Sequence, residues 1–362
     1  MEGPDHNLAK LPSFSGNLHV ERRTPLGCET TKWVQGHLPM GLPRRLFIAS
    51  HGAEPMSRPI LLTCFLLAVL ALAGCSRTET APHEKSTAEV KQEKEVVIGL
   101  IPERNIFAQV ERYEPLSGYL SKKINRKIRL TVIPRYGNII ENFASAGLDG
   151  AFFGSFAYAL AHQRLGVEAL ARPVNPDGVS TYHGLIFVRK DSGIRSIREM
   201  KGKRFALVDR ATTAGYLLPL VYFKSHGTNY KTYLKESYFT GTHEDAILDV
   251  LDRKADIGAA KNTVFERMAA SDDRLKKELI VLARSPDVPE NGLAVRKDLD
   301  GALKAALKES LLTMHENPEN QGLLKAFGAK RFIETSDRDY EPVYRYAGEI
   351  ELNLATYNYL ND

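Results

Sequence analysis

Cysteine is scarce: three occur in 362 residues, at positions 28, 64 and 75, too few for a disulfide framework. An excess of one charge sign is missing too. Forty-nine basic residues against 44 acidic ones leave +5, evenly spread, which excludes the basic footprint of a nucleic-acid binder. The 27 glycines and 18 prolines follow no period, so fibrous and repeat folds drop out. No apolar run reaches the ~20 residues of a membrane-spanning helix. Signatures of chemistry are absent as well. There is no Gly-x-Ser-x-Gly elbow, no phosphate-binding loop, no dinucleotide glycine fingerprint, no histidine pair at i, i+4 and no cysteine beyond position 75. A structural zinc site and a catalytic nucleophile therefore find no support. Neither a cofactor nor an enzyme is expected. What is present, 43% hydrophobic and 26% charged residues, is globular composition with room for two domains.

The longest apolar run, Pro59 to Ala73, follows Arg58 and ends in Leu72-Ala73-Gly74-Cys75. It has the length of a signal-peptide core, so residues 56–74 read as a targeting segment. Its end resembles the lipobox of bacterial lipoproteins. That resemblance implies cleavage before Cys75 and a diacylglyceryl group on its thiol, each buried CH₂ contributing about 0.8 kcal/mol of membrane affinity. Met56 then reads as the working initiator and residues 1–55 as an over-extended reading frame. A genuine disordered extension would place the targeting signal inside the chain. Cleavage removes 7 basic and 5 acidic residues and leaves 288 residues carrying +3. Cys28 and Cys64 go with it, which suits an oxidising envelope compartment. Residues 75–94 contain almost nothing apolar and read as a flexible tether.

From Glu95 onward, strands and helices alternate. Val96–Leu100, Ile128–Ile133 and Gly150–Phe153 read as strands, with helices between them and from Ser155 to Leu165. The pattern restarts with the strands Leu185–Val188 and Phe205–Asp209, a helix from Thr213 to Ser225, an amphipathic stretch Thr242–Leu251 and the strand Ile257–Ala260. Leu293–Val295 is a last strand, and the residues after Asp300 read as mostly helical. The expected fold is α/β and two-lobed, each lobe a mostly parallel sheet flanked by helices. Crossings near Tyr182 and Pro286–Pro289 place lobe one at 95–182 plus 288–362 and lobe two at 183–287.

In open α/β sheets ligands bind beyond the carboxyl ends of the strands, where helix N-termini present unpaired N–H groups. The stretch VDRATTAGYLLP (208–219) carries hydroxyls at such a point. They serve either as helix caps or, with backbone N–H groups, as a cradle for a tetrahedral oxyanion. His243 opens another helix as a further donor.

The stretch YHGLIFVRKDSGIRSIREMKGKRFALVDRATTAGYLLP (182–219) resembles the phosphate/phosphite/phosphonate-binding proteins of ABC importers. So do FTGTHEDAILDVLDRKADIGAAKN (239–262), VPENGLAVRKDL (288–299) and DGAFFGSFAYALA (149–161). The resemblance implies a type II-like periplasmic binding protein that closes two lobes on a small anion and hands it to a permease driven by an ATPase subunit. It implies ligand contacts from Thr212, Thr213, the backbone of Ala214, His243, Tyr136, Ser155 and Tyr158, with Lys261, Asn262 and Asn291 around the cleft. Phe153 stands where some members have a hydrogen-bonding tyrosine. Members that bind aminoalkylphosphonates place carboxylates near Lys261 and Asn291; here one residue is basic and the other neutral. That favours an anion without an ammonium, such as phosphate, phosphite or a simple alkylphosphonate. Alternatives within the fold are another organic or sulfur-containing anion, or an envelope sensor reporting to a membrane histidine kinase. The location expected is the cell envelope, as a periplasmic or outer-face lipoprotein. Metabolic labelling with a palmitate analogue in the native host is expected to tag the chain, and Cys75→Ser to abolish the tag; a tagged serine variant would move the anchor elsewhere.

Overall fold

The computed structural model describes residues 94–361. The expected lipidation at Cys75, the targeting segment and the stretch before it lie outside the described residues. Seven strands come first: β1 (Val96–Leu100), β2 (Ile128–Val132), β3 (Gly150–Phe153), β4 (Glu168–Val174), β5 (Thr181–Tyr182), β6 (Gly184–Arg189) and β7 (Arg204–Leu207). Six follow: β8 (Glu236–Phe239), β9 (Ile257–Lys261), β10 (Leu279–Arg284), β11 (Val288–Pro289), β12 (Gly292–Val295) and β13 (Arg331–Glu334).

They form a six-stranded sheet of order β13-β4-β12-β3-β1-β2 and a five-stranded sheet of order β10-β6-β9-β7-β8. The α/β class and the two-sheet architecture are as the sequence led one to expect, but the pairing is more mixed. In the first sheet β1 pairs parallel with β2 and β3, while β12 inserts antiparallel between β3 and β4, and β13 runs antiparallel to β4. In the second, β7 is parallel to β8 and β9, and β6 is antiparallel to β9 and β10. Most strands still point the same way. Two of the reversed ones, β6 and β12, enter where the chain passes between the sheets.

Those passages are themselves paired. β5 and β11 form a two-stranded antiparallel ladder, Tyr182 opposite Val288 and Thr181 opposite Pro289. Two short strands that could not stand alone thus brace each other. A third link was not legible in the sequence. The C-terminal tail donates from the Tyr357 hydroxyl to the Arg210 carbonyl (3.0 Å) and from the Asn361 amide to Asp209 Oδ2 (2.9 Å).

Local sequence explains the regular elements. β1 and β3 are buried along their whole length, as apolar runs demand when both faces of a sheet are covered. The helices Asn138–Ser145 and Ser155–Leu165 are followed by Gly147 and Gly166, both at positive φ, and the Gly166 N–H closes onto the His162 carbonyl at 2.9 Å. Three expectations change. The helix expected from Thr213 opens as a π-helical turn, Thr213–Leu217, before α-helix Leu218–Ser225. The C-terminal helical stretch is interrupted by β13. Strands β4, β8 and β10 were not expected at all: polar and charged residues break the apolar run in β4 and β8, whereas β10, LIVLAR, is an apolar run that directly follows the charged helix Asp273–Glu278.

β9 carries Gly258 at a crowded point: a Cβ there would sit 2.6 Å from the Phe187 ring and 2.7 Å from Val250. Gly258→Ala is expected to cost about 1–3 kcal/mol. The check is a lower denaturation midpoint with unchanged slope; an unchanged midpoint would mean the sheet yields there freely.

Candidate functional site

Four helices begin at the junction of the two sheets: Ser155–Leu165 after β3, the Thr213 turn after β7, His243–Leu251 after β8 and Asn262–Ser271 after β9. Each follows a strand end, so their N-termini face one small cavity. It is lined by Ile101, Glu103, Tyr136, Gly154, Tyr182, Ala211, Thr212, Thr213, His243, Lys261 and Asn291. Both sheets contribute to it.

The donors differ in what they have left to give. Tyr136 is 2% exposed, and its hydroxyl is buried with no hydrogen-bond partner. Its ring meets the His243 imidazole edge-on at 6.0 Å. His243 is buried, and burial pulls its pKa down to about 4, so the ring is neutral near pH 7. Its Nδ1 accepts the Lys261 backbone N–H at 3.3 Å. The proton of the neutral ring therefore sits on Nε2, which is left as a donor. Thr213 Oγ1 accepts the Phe156 N–H at 2.9 Å, which leaves its own hydrogen to donate. The Thr212 hydroxyl, by contrast, donates to the Asp209 carbonyl at 2.7 Å.

Of the residues expected from the sequence, Tyr136, Thr212, Thr213, His243, Lys261 and Asn291 line the cavity. Four do not. The Ser155 hydroxyl donates to the Pro289 carbonyl at 2.5 Å, holding the start of its helix to the crossing strand β11. Ala214 lines an apolar groove with Gly184 and Leu218. The Asn262 amide oxygen accepts the His183 N–H at 3.0 Å. Tyr158 lies in the core, its ring 4.0 Å from Tyr340 and its hydroxyl 3.5 Å from His162 Nδ1.

The charges at the site were the part sequence reasoning missed. The Lys261 ammonium is buried and contacts Glu103 Oε1 at 3.1 Å, Asn291 Oδ1 at 3.2 Å and Glu290 Oε1. The Tyr182 ring lies 4.4 Å away. Burial alone would raise the Glu103 pKa, but Lys261 and then Arg112 outweigh it and bring it down to about 2. Burial likewise disfavours the Lys261 ammonium, and Glu103 and Glu290 more than restore it. The signals available were weak ones: Glu103 stands just past the buried strand β1, and Glu290 just past β11. Asp209 is pushed the other way, up to about 6, by burial. Among the described residues no group of histidines, cysteines and carboxylates could hold a metal ion.

A donor-lined cavity between two sheets suits capture of an anion. Comparison with known proteins agrees. The family described as the periplasmic substrate-binding protein of phosphonate ABC transporters matches residues 98–340. The phosphonates-binding periplasmic protein of Escherichia coli K12 is 25% identical over 261 residues, covering 71% of this chain and 77% of that one. The solved structure of a binding protein component of an ABC phosphonate transporter from Pseudomonas aeruginosa superposes with TM-score 0.65 at 24% identity, over 69% of this chain and 84% of that one. A Prochlorococcus marinus protein solved in complex with methylphosphonate gives 0.64 at 21%, over 70% and 97%.

His243 makes the pH response testable. Its pKa is about 4 folded and near 6.5 unfolded, so between these the unfolded chain holds the proton and acidification lowers stability. Asp209, at about 6 folded and near 3.9 unfolded, gains stability over that same fall in pH. His243→Gln removes only the first effect. The stability of wild type relative to this variant is expected to be constant above pH 7 and to fall by roughly 3 kcal/mol as pH approaches 4. A pH-independent difference would contradict the neutral imidazole.

Proposed function

The chain belongs to the periplasmic substrate-binding proteins of phosphonate ABC transporters, and on that premise we propose that it captures a small phosphorus oxyanion lacking an ammonium group. Phosphite, phosphate and simple alkylphosphonates are the ligand class. The two sheets are the cores of two lobes, residues 95–182 with 288–362 and residues 183–287, that close on the ligand. The closed form is what a permease and its ATPase subunit receive, and Cys75 is the anchor that keeps the protein at the membrane.

The observation that carries this reading is the buried, unpartnered hydroxyl of Tyr136, whose ring packs edge-on against a neutral His243. With Thr213 and the opening N–H groups of the Thr213 turn, these donors surround an oxyanion without a cation of their own. The Lys261 and Arg112 charges are answered by Glu103 and Glu290, and the mostly buried Arg267 guanidinium also acts on these two carboxylates. An oxyanion is then held by oriented dipoles, each hydrogen bond to a charged group contributing about 1.5–3 kcal/mol. Thr212 and Ser155 support the site by fixing the loop and the crossing strand.

Thermal-shift measurements with millimolar phosphate, phosphite and methylphosphonate test the claim. At least one is expected to raise the melting temperature in a saturating, one-per-chain manner. Tyr136→Phe and Thr213→Val should each weaken that ligand by about 10- to 100-fold. No shift with any of the three defeats the phosphorus-oxyanion assignment, and unchanged affinity in both variants moves the site elsewhere.

A further inference from the structure

Around the Lys261 ammonium the chain has assembled a complete receptor for a cation. An ammonium has three N–H donors, and three oxygens meet them: Glu103 Oε1, Asn291 Oδ1 and Glu290 Oε1. The Tyr182 ring closes one side at 4.4 Å, a distance at which an aromatic face attracts a cation. The oxygens are held in place by other groups. Glu103 accepts the Asn291 side-chain amide at 2.7 Å and lies 3.6 Å from Arg112. Glu290 accepts the Asn291 backbone N–H at 2.9 Å and the Asn175 amide at 3.2 Å. The receptor is thus built mainly by the six-stranded sheet and the crossing strand, whereas the ammonium arrives from β9 of the other sheet. It borders the same cavity as Tyr136, Thr213 and His243.

We propose that this is a cation subsite of the ligand cavity filled by the protein's own lysine, and that Lys261 thereby sets ligand specificity. The inference rests on the oxyanion reading above and goes one step further. An anion with a plain alkyl group, or none, shares the cavity with the tethered ammonium. An anion carrying its own ammonium on a two-carbon arm meets a like charge in this receptor. Removing the lysine side chain vacates the receptor and leaves Glu290 without its cation and Glu103 with only the more distant Arg112; one partner of a buried ion pair cannot be lost without penalty. A ligand ammonium then supplies the missing cation.

Ethylphosphonate and 2-aminoethylphosphonate differ only in the amino group, so titration calorimetry on the full chain with this pair reads the subsite directly. The wild type is expected to favour ethylphosphonate by at least about tenfold, and Lys261→Ala to reverse that order, with aminoethylphosphonate gaining about 10- to 100-fold over its wild-type affinity. Methylammonium chloride added to Lys261→Ala should restore ethylphosphonate binding, whereas tetramethylammonium, which has no N–H, should not. Should Lys261→Ala fail to fold, the charge-balanced Lys261→Ala/Glu290→Gln variant keeps Glu103 in the receptor and is expected to show the same reversal. A wild type that binds both phosphonates equally, or variants that fold and bind ethylphosphonate without gaining aminoethylphosphonate, overturns the role of Lys261 alone. A wild type that binds neither these two nor phosphite, phosphate or methylphosphonate overturns the oxyanion reading, and this inference with it.

Discussion

Three charged side chains set the terms for the rest of the molecule. Lys261, Glu103 and Glu290 are each almost fully removed from water, and taking an ion out of water costs several kcal/mol unless its partners replace the solvent. Here they do so completely: the ammonium has three oxygens, and each carboxylate has amide donors besides. Such a cluster forms only when β9, the end of β1 and the crossing strand β11 are in register. The approach of the two sheets is therefore tied to the satisfaction of these charges, as well as to the apolar cluster that runs between the sheets.

The same cluster decides how the neighbouring cavity does its work. With Lys261 and Arg112 answered by carboxylates, the proposed recognition falls to neutral donors whose orientation is fixed by their own hydrogen bonds. The His243 tautomer is set by a backbone N–H from Lys261, and the Thr213 hydroxyl by the Phe156 N–H. In each case the group that orients the donor belongs to another element. Oriented dipoles in a buried site discriminate by geometry, where a free lysine would attract any anion. The membership of a phosphonate-transporter family and the chemistry of the cavity point the same way.

Parts of this were legible beforehand, and the reason differs from part to part. β1, β3, β9 and β12 are continuous apolar runs, and the helix ends at Gly147 and Gly166 are punctuated by the one residue type that takes positive φ freely. β8 and β13 escaped because their polar or charged residues face solvent, and only pairing with a neighbour makes them strands. The hydroxyl-rich start of the Thr213 turn was visible as a motif. Which hydroxyl keeps a free hydrogen was not, since that follows from where Asp209 and Phe156 lie.

By itself the sequence determined the α/β alternation and carried a resemblance that proposed Tyr136, Thr213 and His243 as ligand contacts, because each of these is written in adjacent residues. Tertiary structure alone decided that Tyr158 belongs to the core, that Ser155 braces the crossing strand, and that a lysine read as an isolated basic substitution is caged by two glutamates. Glu103 lies 158 residues from Lys261 in the chain and Glu290 lies 29. No local pattern links them; the free energy of burying three charges depends on the contacts that folding alone creates.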